Sequence, residues 1–209
     1  MLMGAGLKRA EHKRAEILNA ARSLFLREGY SDTGMEVVAR AASVSTATLY
    51  AYFPSKADLF KVVIFETARD MAGPVRESAR AKGDARQRLL AFANAYAAFF
   101  SRPLTRAMFR LVAAERRRFE EVAEYFLQSA RDELGGAAIA VISDLAERGD
   151  ITVQKPSWAA GQLMGMMDHM TLVLGLSAGD ETLPRRPLKD ICDDAVETFL
   201  ARYAVKTAA

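Results

Sequence analysis

Between Ser45 and Pro54 the chain has room for a helix of only about two turns, and the signals on either side of it restrict the fold more than any other stretch. Ser45 is placed to cap that helix, because its side-chain oxygen can accept from a backbone N–H of the first turn. Pro54 disfavours helical geometry at Phe53 and so ends it. Ser55, followed three residues later by Asp58, then starts the next helix. Upstream, Thr33 followed by Glu36 reads as a reciprocal capping pair for a short helix whose apolar side is Met35, Val37, Val38 and Ala39. Ala42, Ser43 and Val44 leave only a tight connection between the two. Helix, tight turn, short helix, break and fresh helix is the order of a helix-turn-helix.

The short helix has a composition suited to a groove. Ser45, Thr46, Ala47 and Thr48 are small or hydroxylic, so backbone can approach phosphates and base edges closely. Tyr50 and Tyr52 offer hydroxyls, and Lys56 adds a cation in the first turn of the following helix. Leu49 and Phe53, four apart, face inward and hold the helix on its neighbours.

The rest of the chain repeats a helical period with no alternating strand. Apolar spacing and Gly or Pro punctuation predict helices from about Ala10 to Glu28 with Gly29 as the stop, and from Lys56 to about Ala79 with a break at Gly73 and Pro74. Further helices are predicted at Asp84 to Phe100, Pro103 to Ala114, Arg118 to Glu133, Leu134 to Arg148 beyond the Gly135–Gly136 pair, Pro156 to Leu176 and Pro187 to Ala204. The fold class is therefore all-α with about nine helices: a three-helix helix-turn-helix module over residues 1–55 and a larger helical bundle over 56–209. Leu188, Ile191, Ala195, Phe199 and Tyr203 form one stripe, and Ala159, Ala160, Gly161, Gly165 and Gly175 thin the preceding helix. Together they are expected to form a dimer surface.

Charge and composition narrow the classes. Residues 1–60 carry eight Lys or Arg against six Asp or Glu, and the whole chain is only +3, so affinity for a polyanion has to come from local placement. Lys8, Arg9, Lys13 and Arg14 are the densest basic group near the motif and read either as a minor-groove arm or as a solvated tail. No apolar stretch reaches membrane-spanning length and no export signal core is present, which predicts a cytoplasmic protein without membrane contact. The single Cys192 excludes an internal disulfide and reads as a packed thiol. With two histidines far apart, no phosphate-cradling glycine loop and no metal-ligand spacing, neither an enzyme nor a cofactor or metal site is expected.

The residues from Glu36 to Phe60, with an alanine-rich turn, V-S, T-L-Y, Y-F, P-S-K and L-F in order, resemble the DNA-binding domain of the TetR-type transcriptional regulators. The likeness extends back over Arg14 to Gly29 with its L-F-x-x-x-G-Y ending, and Phe109 to Gly149 resembles AefR-like effector domains. The resemblance places base and phosphate contacts at Thr46, Ala47, Thr48, Tyr50, Tyr52 and Lys56, with Thr33 touching the DNA backbone. Ser43 stands where the family usually has Gly, which implies a left-handed residue at a cost of about 1 kcal/mol. The resemblance also implies an effector cavity among Phe92, Tyr96, Phe99, Phe100, Met108, Phe109, Tyr125, Phe126, Met164, Met167, Asp168 and Met170. His169 is the one group in that helix whose ring can act as either hydrogen-bond donor or acceptor. The expected function is a ligand-responsive regulator, a homodimeric repressor released from a palindromic double-stranded DNA operator by a small apolar effector. The competing reading is a helical protein-interaction adaptor with a vestigial DNA-binding motif.

Overall fold

The computed structural model describes the backbone of residues 2–205 and the side chains of residues 8–205. Among these no strand forms, and a single antiparallel bridge joins Ile151 to Ala204. The chain divides into two compact units. One holds residues up to Thr67 together with Met108–Phe126, and the other holds Ala68–Ala107 and everything from Leu127 on.

In the first unit, α1 spans Leu2–Asp32 and buries Ile17, Ala21, Leu24 and Phe25 along one face, as their spacing requires. Its helical geometry fails at Gly29, where φ is +84°, a conformation only glycine adopts without strain. The basic residues Lys8, Arg9, Lys13 and Arg14 therefore lie on a helix and not on an extended arm. The next helix, α2, runs Met35–Ala41 and corrects one expectation: its N-cap is Gly34, with no side-chain cap. Thr33 is 2% exposed and its hydroxyl donates back to the Gly29 carbonyl at 2.7 Å, closing the turn that the glycine opened. The chain then turns through Ser43 at φ +54°, so the left-handed position expected there is occupied by a non-glycine residue.

Helix α3 spans Thr46–Tyr52 and α4 spans Lys56–Met71. Both start on the caps read from the sequence: the Thr48 N–H donates to Ser45 Oγ at 3.1 Å, and the Asp58 N–H donates to Ser55 Oγ at 3.1 Å. Four aromatic rings centre the core of this unit. Phe60, fully buried, meets Phe25 edge-on at 5.3 Å, Tyr30 at 5.0 Å and Phe119 at 4.9 Å.

The second unit takes in the last residues of α4 from Ala68 and then the break expected at Gly73 and Pro74, where α5 (Gly73–Ser78) starts with proline in its first turn. Helix α6 (Ala85–Ser101) opens on a full capping box between Asp84 and Gln87. It is followed by α7 (Pro103–Glu115) and α8 (Glu120–Ala130), whose stretch Met108–Phe126 belongs to the first unit. Next come α9 (Gly136–Glu147), α10 (Pro156–Asp168), α11 (Leu174–Ala178) and α12 (Leu188–Tyr203). The Gly135–Gly136 pair does not separate two helices as expected, because both glycines keep helical φ and a π-helical turn over Arg131–Gly135 carries α8 into α9. A second π turn, His169–Val173, fuses α10 to α11. With these fusions and the broken α4–α5 pair taken as single rods, the described residues form nine.

The stripe on α12 also departs from expectation. Ile191, Ala195 and Phe199 are at most 4% exposed and fill the interior of this unit, where α12 packs on α6 and α10. What remains outside is an open groove of about 500 Å³ lined by Gly161, Gln162, Gly165, Met166, Thr198, Phe199, Arg202 and Tyr203. The largest fully buried side chain in the described residues is a charged one, Arg106. Its Nε donates to the Phe100 carbonyl at 2.9 Å and its NH1 to the carbonyls of Asp180 and Thr182. A Cβ on Gly175 would stand 2.4 Å from Arg106 Cδ and Nε, so the guanidinium takes the space a side chain would need.

Candidate nucleic-acid interface

Helix α3 is seven residues long, far too short to persist alone, and tertiary packing holds it. Leu49 is fully buried and Phe53 is 4% exposed; together they are the underside that fixes the helix to its unit. Ser45, Thr46, Ala47 and Tyr50 lie on the exposed side, Tyr50 at 49%, and Thr48 is half-buried between the two faces. Part of the hydroxyl chemistry is already committed. Ser45 and Thr48 share a hydrogen bond at 2.8 Å, so the two hydroxyls at the start of the helix hold each other in register. The Tyr52 hydroxyl donates to the Ala10 carbonyl at 3.2 Å, which ties α3 to α1 and uses the proton expected for a phosphate.

Lys56 opens α4 beside the end of α1. Its ammonium donates to the Ser31 carbonyl at 3.0 Å and lies 4.4 Å from the centre of the Tyr30 ring. Partial burial, followed by the nearby positive charge of Arg118, lowers its pKa from the ordinary lysine value, while Asp32 and Glu115 act in the opposite sense. Arg14 also faces this motif, paired with Glu66 at 2.6 Å and with its guanidinium 5.8 Å from the Phe53 ring centre. Thr33 is a different case. With its side chain buried and its hydroxyl held by Gly29, it shapes the loop before α2 and presents no side chain to a ligand.

Sequence reasoning missed Arg118. It lies 87 residues from Ser31 yet its NH1 donates to Ser31 Oγ at 3.4 Å, and its guanidinium sits 5.2 Å from the Tyr30 ring centre. Only the run Arg116–Arg117–Arg118 hinted at it, and a charge run on a helical period ordinarily reads as a solvated face.

The residues expected around an effector fall into both units. Phe92, Tyr96, Phe99, Met164, Met167 and Asp168 belong to the second, whereas Met108, Phe109, Tyr125 and Phe126 belong to the first. Within the second unit, Tyr96 is 4% exposed and donates to Asp168 Oδ1 at 2.7 Å, with Phe92 at 5.6 Å and Phe100 at 4.9 Å from its ring. Burial raises the Tyr96 pKa far above the ordinary tyrosine value, and the Asp168 carboxylate raises it further, so this hydroxyl stays protonated. Burial also raises the Asp168 pKa against the opposing hydrogen bond from Tyr96. His169, next in sequence, is exposed. In the first unit Phe109 meets Phe126 edge-on at 4.9 Å, and Tyr125 packs on Phe65 at 4.1 Å. Cys192 is fully buried and its thiol is pushed up to about 11 by that burial, which keeps it an unreactive packed group at neutral pH. Among the described residues no group of three or more His, Cys, Asp or Glu could hold a metal, and no helix is long and apolar enough to cross a membrane.

Comparison with known proteins agrees with this geometry. Residues 17–63 match the family described as bacterial regulatory proteins, tetR family, and residues 87–205 match the AefR-like transcriptional repressor C-terminal domain. Among curated relatives, the transcriptional activator FasR of Mycolicibacterium smegmatis is 35% identical over 86 residues, 41% of this chain and 39% of FasR. UidR of Escherichia coli K12 is 32% identical over 68 residues, 32% of this chain and 35% of UidR. The chain thus spans well under half the length of these curated relatives. Among solved structures, a TetR-family regulator from Mesorhizobium loti MAFF303099 superposes with a TM-score of 0.85 at 26% identity, covering 94% of this chain and 99% of that one. The flavonoid-responsive regulator FrrA gives a TM-score of 0.73 at 27% identity over 94% of this chain and 100% of its own.

Proposed function

The chain belongs to the TetR family of bacterial transcriptional regulators, with an AefR-like C-terminal domain, and on that premise we propose that it is a cytoplasmic, homodimeric repressor that leaves a palindromic operator when a small apolar effector binds. Its relatives regulate transcription and are not enzymes. What carries the DNA-reading role is the disposition of α3: an apolar underside sealed by Leu49 and Phe53, and an exposed side of small, hydroxylic and tyrosyl groups. In this reading residues 1–55 read the DNA, and 56–209 bind effector and pair subunits. Thr46, Ala47 and Thr48 face base edges, Ser45 fixes the start of the helix, and Tyr50 and Lys56 meet phosphates. Tyr52 orients α3 through Ala10. For the effector wall the reading favours, among the expected residues, those of the second unit, Phe92, Tyr96, Phe99, Met164, Met167 and Asp168, which include the Tyr96–Asp168 hydrogen bond as a polar pair among apolar side chains. Effector binding would favour a conformation of the second unit that moves the continuous rod of α4, and with it Lys56 and α3.

The test is selection of bound fragments from the source genome, followed by affinity measurements at two salt concentrations. The reading requires an inverted-repeat sequence and a steep loss of affinity with salt. Tyr50→Phe should weaken binding on every duplex alike, while changes at Thr46 or Thr48 should alter which sequence is preferred. Absence of binding at any salt would favour the adaptor instead.

The groove on α10 and α12 supports dimerisation through small residues. Gly161 and Gly165 lie four apart on one face, and a Cβ at either would meet nothing within 4 Å of its own chain. Gly165→Arg should therefore leave the isolated fold intact, with about 1 kcal/mol of helix propensity gained, while the bulk blocks a second copy. Light scattering should report a monomer with reduced operator affinity. A variant that stays dimeric would place the subunit contact elsewhere.

A further inference from the structure

The run Arg116–Arg117–Arg118 has no role in a helical core, and the fold places it in the same compact unit as the helix-turn-helix. It forms the turn between α7 and α8, and it is held firmly. The N–H groups of Arg118 and Phe119 both donate to the Glu115 carbonyl, at 2.9 and 3.0 Å, which winds the turn tightly. Phe119 is 6% exposed and packs against both Tyr30 and Phe60, 4.8 and 4.9 Å from their ring centres. Just beyond, Glu121 pairs with Lys61 of α4 at 2.6 Å. Side chains anchored on both sides of a tight turn leave its arginines in a fixed place.

That place adjoins Lys56. Lys56 donates to the Ser31 carbonyl and Arg118 to the Ser31 hydroxyl, and both cations lie against the Tyr30 ring. Two like charges so placed disfavour each other, which is visible in the part Arg118 takes in lowering the Lys56 pKa. Glu115, 3.7 Å from Arg118, and Asp32 offset them only in part. Arg116 and Arg117 are exposed, and neither has an ion-pair partner among the described residues. An anion brought to this cluster would relieve repulsion and gain charge-assisted hydrogen bonds. The elements touched are those that flank the motif: Ser31 lies four residues before α2 begins, and Lys56 is the first residue of α4 after α3.

We infer that the α7–α8 turn is a second DNA-backbone contact, in which Arg118 works beside Lys56 and Arg116 and Arg117 carry the phosphate-binding surface outside the helix-turn-helix. The inference rests on the DNA-binding reading above. It makes the DNA footprint larger than residues 1–55 could give. It also puts a DNA contact on a segment bounded by two helices, α7 and α8, that contribute residues to both units.

The test compares full-length protein with the double variant Arg116→Ala/Arg117→Ala and, separately, Arg118→Ala, after circular dichroism and thermal midpoints show that each is folded. Affinity is measured against salt concentration on the selected operator duplex and on an unrelated duplex. Each arginine that touches a phosphate contributes about one unit to the slope of log affinity against log salt. The double variant should lose about two units of slope, equally on both duplexes, with the ratio between the two affinities unchanged. A double variant that keeps the wild-type slope while wild type itself binds steeply overturns the second contact and leaves the helix-turn-helix reading intact. Wild type that binds neither duplex removes both.

Discussion

Replacing Arg106 by methionine is expected to lower the stability of this protein by about 3 kcal/mol, seen as a reduced urea midpoint with an unchanged slope. The side chain is fully buried and its donors hold the carbonyls of Phe100, Asp180 and Thr182, which join the end of α6 to the segment between α11 and α12. A buried ion pair can often be exchanged for apolar groups at little cost, because both partners leave together. Here the acceptors are backbone and cannot leave, so methionine strands the buried Phe100 carbonyl and removes the donor from the part-buried carbonyls of Asp180 and Thr182. For a chain of this size 3 kcal/mol corresponds to a fall of roughly 6–12 °C in Tm. Arg106→Lys should recover only part of the loss, since one ammonium cannot span acceptors on two separate segments as a planar guanidinium does. Gly175→Ala should be destabilising for the same reason, because its methyl group would collide with the guanidinium stem. If methionine costs less than about 1 kcal/mol, the desolvation of the guanidinium cancels what its hydrogen bonds contribute, a balance already suggested by the buried NH2 that finds no acceptor.

Truncation of Phe60 to alanine should be the most damaging change in the first unit, at about 3–5 kcal/mol. Its ring meets Phe25, Tyr30 and Phe119 and is fully buried, whereas Tyr30, which touches the same cluster, is only half-buried. The loss combines transfer of a large apolar group, an unfilled cavity and the edge-on ring contacts. Phe60→Leu, which fills most of the volume, should cost less than half as much. Denaturant unfolding separates the two. DNA affinity should fall with the alanine variant even at temperatures where it remains folded, because Phe119 loses a neighbour and the α7–α8 turn loses its anchor. Wild-type affinity in a folded Phe60→Ala protein would mean that the cluster serves stability alone.

Several features were legible because their physics is local. Ser45 and Ser55 cap helices within three residues of themselves, Pro54 holds Phe53 out of helical geometry, Pro74 opens a new helix in its first turn, and Gly29 marks the end of regular α1 geometry by the sign of its φ. The left-handed turn at Ser43 followed from the family resemblance alone, since the residue there is not the one the conformation prefers. Thr33 shows how such reading fails: the spacing to Glu36 is that of a capping pair, yet the hydroxyl has a nearer acceptor in the carbonyl that Gly29 exposes.

What the order of residues determined by itself is the set of rods, the short α3 with its apolar underside, and membership of a DNA-binding family, since caps, breaks and a period of 3.6 act within a few residues. The tertiary structure alone decided which faces meet. It sent Ile191, Ala195 and Phe199 of α12 inward and left Gly161 and Gly165 outside. It buried an arginine in α7 that any reading by polarity would leave in water. It also carried Arg118 across 87 residues to Ser31. Those outcomes depend on contacts between distant segments, whose partners are chosen by volume, desolvation and charge once the rods are assembled.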